Sequence, residues 1–118
     1  MNNYQYEYNS EDDVLYIKNS MKEVEESVEV SDDLILDLDK NGMVVGIEIF
    51  YASEFFGAFN KEVDKKFLAN LEDVQLEQKE MRNNWFLVVM LKSGKKVIYQ
   101  PMPPLRKSEY VSPLILAN

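Results

Sequence analysis

The sequence predicts an α+β fold: antiparallel β-hairpins and meanders, with one helical segment packed on the sheet. Three observations carry this. Most of the chain alternates apolar and polar residues with the period of two that a half-buried strand requires. The alternating runs are short and separated by turn residues, as in "NSEDD", "DKNG" and "SG". Only one stretch, beginning near Phe55, changes to helical spacing.

Taken in order, "YQYEYN" (4–9) alternates aromatic and polar residues and is the first expected strand; "SEDD" turns the chain into "VLYIK" (14–18). "VEESVEV" (24–30) carries its acids on one face. "LILDLD" (34–39) places Leu34, Leu36 and Leu38 on one side and Ile35, Asp37 and Asp39 on the other. "KNG" is a turn, and "MVVGIEIF" (43–50) returns with Val45, Ile47 and Ile49 opposite Glu48. Phe56, Phe59, Val63, Phe67 and Leu71 then recur at helical spacing. They predict a helix over 61–71 capped by Asn60, with a short turn over 52–56 before it. "DVQLEQKEM" (73–81), "NWFLVVMLK" (84–92) and "KKVIYQPM" (95–102) read as a meander joined by "RN" and "SG". The prolines of "PMPPL" end it, because proline cannot donate to a ladder. An apolar tail, "YVSPLILAN", follows; it is expected to dock on its own domain or to serve as a dimer contact.

At 118 residues the chain is expected to form a single domain, 1–118, with an acidic β-rich half (1–56), then the helix, a basic meander (73–102) and the tail. Residues 1–56 hold 14 acids and 3 bases, a net of −11; residues 57–118 hold 7 acids and 10 bases, a net of +3. The acidic half would repel phosphates and anionic lipid, so neither nucleic acid nor a membrane is expected as a partner, whereas a basic protein is. No apolar run approaches the roughly 20 residues of a membrane span. The polar, acidic N-terminus does not resemble a signal peptide, and a cytoplasmic protein is expected. Cysteine and histidine are both missing from the chain. That removes disulfides, thiolate and imidazole metal sites, cysteine nucleophiles and any Ser-His-Asp triad. No phosphate-binding or nucleophile-elbow motif occurs, and the acids lie in polar runs typical of solvated faces. No enzyme activity and no cofactor are expected. Trp85, Phe86 and Tyr99 are expected as core strand residues rather than as a base-stacking surface.

One motif is compatible with two structures. "DLDKNGMVVGIE", Asp37 to Glu48, fits the calcium-loop pattern D-x-[DN]-x-[DN]-G-x5-E at every specified position. The calcium loop sits between two helices, however, and both flanks here alternate as strands. A hairpin turn at Asp39-Lys40-Asn41-Gly42 explains the same letters. On that reading Asp37, Asp39 and Glu48 are solvent-facing strand positions, and at most a shallow, low-affinity cation site. Gly46, inside a strand, is expected to permit a bulge or the close approach of a neighbour.

The first half also resembles a small, widespread prokaryotic domain family of unknown function. Its members read Y-x-x-x-x-D-x-L-Y-I, then E-V-x-x-x-x-I-L-D-x-D-x-x-G-x-x-x-G-I-E-I-x-x-A-S. Tyr8, Asp13, Leu15, Tyr16 and Ile17 match the first block. Glu29, Val30, Ile35, Leu36, Asp37, Asp39, Gly42, Gly46, Ile47, Glu48, Ile49, Ala52 and Ser53 match the second. The resemblance implies no catalytic or metal residues. Family members are often encoded beside small toxins, which implies a non-catalytic, antitoxin-like module that neutralises a basic partner. The expected partner-binding residues are Asp32, Asp33, Asp37, Asp39 and Glu48. A structural or homo-oligomeric protein and a weak divalent-cation-binding domain are the alternatives.

Overall fold

The computed structural model describes residues 3–110. The fold is α+β, built mainly of antiparallel strands. In chain order these are β1 (Tyr4–Asn9), β2 (Val14–Asn19), β3 (Glu26–Ser31), β4 (Leu34–Leu38) and β5 (Val44–Phe50). Two short helices follow, α1 (Ala52–Gly57) and α2 (Lys65–Ala69). The chain then forms β6 (Asp73–Met81), β7 (Asn84–Ser93), β8 (Lys96–Pro101) and the two-residue β9 (Leu105–Arg106).

The first sheet has the order β1-β2-β5-β4-β3. Strands β3, β4 and β5 form a meander, and the segment after β2 crosses the sheet end to begin it at the far edge. The result is a Greek-key arrangement. In the second sheet β7 is central, with β6 on one side and β8 and β9 on the other. The sheets meet along β1 and β6, where the Tyr6 hydroxyl donates to the Leu71 carbonyl at 2.8 Å.

Period-two alternation supplies one continuous core. Leu15, Ile17, Leu34, Leu36, Leu38, Ile47 and Ile49 come from the first sheet; Val74, Leu76, Trp85, Leu87, Val89, Leu91 and Ile98 come from the second. Phe56, Val63, Phe67 and Leu68 close one side of the core. The alternating face of β4 falls as its sequence indicates. In β5 a bulge interrupts the alternation: Leu38 pairs with Val44 and Asp37 with Gly46, so Val45 is the extra residue.

The helical region departs from a single helix over 61–71. Val63 N–H donates to the Asn60 carbonyl and Glu62 N–H to the Asn60 side chain, so Asn60 shapes a turn. The cap of α2 is Asp64, whose carboxylate accepts from Phe67 N–H at 2.8 Å. With the helix broken there, Phe59 leaves the core face and is 56% exposed. Phe86 and Tyr99 likewise lie outside the core, because their strand positions point away from Trp85, Leu87 and Ile98. Arg82 and Asn83 both take positive φ, the signature of a two-residue hairpin turn. The next hairpin turns on Gly94 and Lys95, one residue later than "SG" suggests, with Gly94 at φ 61°. The apolar tail beyond Tyr110 lies outside the described residues.

Candidate functional site

The acids of the first sheet separate into three structural settings. The first centres on Asp13, in the turn between β1 and β2, which is 7% exposed and has φ 56°. Aspartate tolerates this left-handed conformation better than most residues. Its carboxylate accepts from the Tyr8 hydroxyl at 2.6 Å, from Ser53 N–H at 3.0 Å and from the Ser53 hydroxyl at 2.7 Å. Its carbonyl accepts from Ala52 N–H. A single residue thus ties the β1–β2 turn to the junction of β5 and α1. Burial opposes ionisation, but the bonds from Tyr8 and Ser53 and the nearby charge of Lys65 outweigh it. The carboxyl is therefore held below the usual carboxylate range. Tyr8 is shifted the other way, upward, by burial and by this carboxylate.

The second setting is Asp37 on β4. It lies on the face opposite the core, where the alternation places it, but it is not solvent-facing. It is only 7% exposed, because Tyr16 of β2 and Ser27 of β3 reach over it. The Tyr16 hydroxyl donates to one carboxylate oxygen at 2.8 Å and the Ser27 hydroxyl to the other at 2.6 Å. Gly46 makes room for this arrangement. A Cβ there would lie 2.8 Å from Asp37 Oδ2 and 3.2 Å from the Ile17 carbonyl oxygen. The expected close approach at this glycine is therefore made by a side chain and a backbone together. Burial, the bond to Asp37 and the charges of Asp37 and Glu48 push the Tyr16 hydroxyl up to about 12.

The third setting is the turn itself. Asp39 Oδ1 accepts from Asn41 N–H and Met43 N–H, both at 2.9 Å, and Gly42 has φ 77°. Asp39 is thus spent on closing the hairpin. Strands β4 and β5 flank it, so the calcium-loop letters form a β-hairpin. Asp37, Asp39 and Glu48 do not converge, and no group of three or more acids among the described residues is arranged to hold a metal ion. Asp32 and Asp33 form the β3–β4 turn at the other end of β4 from Asp39.

What the outer face of the first sheet does form is an open groove of about 740 Å³. Val14, Tyr16, Val24 and Phe50 supply its apolar surface; Glu7, Asp12, Asp37 and Glu48 supply its acids. The register sets Tyr16 between Glu7 and Glu48 on the neighbouring strands. Of the five expected partner-binding acids, Asp37 and Glu48 line this groove, and Asp39, Asp32 and Asp33 do not. Glu7 and Asp12 were not singled out by sequence reasoning. Strand alternation puts Glu7 on the outer face, but only the order β1-β2-β5 brings it into one row with Tyr16 and Glu48.

Residues 5–53 match the family model described as a protein of unknown function, DUF2283. The match ends at Ser53, the far partner of Asp13, so both carboxylate brackets lie wholly within it. Residues 54–118 lie outside it. No curated protein and no solved structure matches the chain. Among the described residues, no helix is long and apolar enough to cross a membrane.

Proposed function

We propose that this is a non-catalytic, cytoplasmic protein-binding module of antitoxin type, which holds a basic partner protein on the outer face of its first sheet. The observation that carries the reading is the character of that face. In its open groove, apolar side chains from Val14, Tyr16 and Phe50 lie among the carboxylates of Glu7, Asp12 and Glu48. An apolar centre with a charged surround is the usual anatomy of a protein interface, and matched charge gives specificity and a fast encounter. Asp32, Asp33 and Asp39 lie at the ends of the same sheet and extend the negative field for steering. Asp37 holds the floor in place, with both carboxylate oxygens already bonded.

The test is co-expression with the product of the adjacent gene. A complex should form on gel filtration, and growth inhibition by that product alone should be relieved. The double variant Glu7→Lys/Glu48→Lys should lose both effects while keeping its fold. If the neighbouring product is harmless alone and no complex forms, the reading fails.

A further inference from the structure

Among the described residues, the two sheets leave two of their four edges open. The outer side of β1 lies against β6 and α2, so those two edges cover each other. Among the described residues, β3 and β8 each pair along one side only, β3 with β4 and β8 with β7. An open edge is a row of unpaired backbone donors and acceptors, and proteins usually guard it with charge, bulges or proline. Both edges here are guarded, but with opposite signs. Glu25, Glu26 and Glu29 lie before and along β3, and Asp32 and Asp33 follow it. Lys95, in the turn, and Lys96, the first residue of β8, open that edge, and Pro101 ends it. Each edge therefore repels a copy of itself, while the two edges complement each other.

We propose that the protein associates head to tail, with β8 of one copy lying antiparallel along β3 of the next. The two strands are of equal length, 6 residues. An antiparallel alignment brings Lys95 and Lys96 to Asp32 and Asp33, and places Pro101 beside Glu26, beyond the charged contact. The bulge at Val30 leaves Glu26–Glu29 as the regular part of β3, so few ladder bonds form and the charges decide the strength. The Lys96 ion pair with Glu62, 3.2 Å long, is exposed on both sides and exchanges readily. The contact uses different surfaces on the two copies, so it builds chains or rings rather than closed two-fold dimers. It also leaves the outer face of the first sheet untouched.

Sedimentation velocity and light scattering on the full chain test this. At low ionic strength the weight-average mass should climb with concentration to more than twice the 13.8 kDa of one chain. It should fall back in ~0.5 M salt, where the screening length shrinks to roughly 4 Å. Asp32→Lys/Asp33→Lys and Lys95→Glu/Lys96→Glu should each stay monomeric alone, with melting temperatures near wild type. Mixed together they should associate again, because each then offers the edge that the other needs. If the first variant fails to fold, the single variant Asp32→Lys takes its place in the mixture. A wild-type mass that stays at one chain throughout overturns the proposal. So does association that survives both reversals, or a mixture of folded variants that stays monomeric.

Discussion

The two sheets are held by different means. In the first, buried carboxylates organise the strands: Asp13 joins Tyr8 to Ser53, and Asp37 joins Tyr16 to Ser27. In the second, β7 contributes Trp85, Leu87, Val89 and Leu91 to the core, all but fully buried, and no buried carboxylate. The long hairpin β6–β7 needs only a turn and an alternating pattern to find its register. The first sheet must bring β2 beside β5, strands separated by two others in sequence, and a directional bond specifies such a pairing better than apolar contact alone.

The comparison predicts a graded set of losses. Trp85→Ala should be the largest, about 3–5 kcal/mol, because it empties a fully buried aromatic site. Urea unfolding followed by circular dichroism measures it. Asp13→Ala should cost about 2–4 kcal/mol, from the stranded Ser53 N–H and the strain of alanine at positive φ. A loss under about 0.5 kcal/mol would mean that the bracket is incidental and that the two sheets are held alike. Gly46→Ala should cost about 1–3 kcal/mol, since the methyl group meets Asp37 and a strand carbonyl. Glu48→Lys, on the half-open outer face, should stay within about 0.5 kcal/mol of wild type and so separate binding from stability.

The brackets also predict a pH dependence. The Asp13 carboxyl is depressed in the folded state, so its contribution is complete above the usual carboxylate range and is lost as pH falls through its folded value. Asp13→Asn should flatten the acid limb of the urea midpoint against pH. Tyr16, raised to about 12, has the opposite sense: its contribution is complete below the usual tyrosine value and is lost as pH rises through about 12. Tyrosinate absorbance should show one late-titrating group fewer in Tyr16→Phe.

Much of this architecture was legible in the sequence, and the reasons differ by region. Strand positions and hairpins followed from alternation and turn residues, because both are local. The family resemblance over about residues 8–53 was legible too, since Asp13, Gly42, Gly46 and Ser53 stand at fixed spacings. The use of Asp13 was not, because its partner Ser53 lies 40 residues away and comes close only once β2 pairs with β5. Alternation placed Asp37 opposite the core correctly but could not show that Tyr16 and Ser27 roof it. The exposure of Phe59 and Tyr99 was not legible, because helical spacing and aromatic character each point to burial. Phe59 lost its helix at the Asn60 turn, and Tyr99 lies on the side of its strand away from the core.

One contact between the sheets has a consequence for how the chain can be divided. Gln78 of β6 donates to the Val44 carbonyl at 2.9 Å and accepts from Val44 N–H at 3.1 Å, beside the bulge in β5. Both peptide groups of a buried residue in the matched segment are thus served by an amide from outside it. A fragment trimmed to residues 5–53 would lose that amide along with the apolar wall of β7. It should be poorly soluble and should not fold cooperatively by itself. Transplanting the matched segment into another scaffold would therefore require a surrogate for Gln78 as well as a new hydrophobic lining.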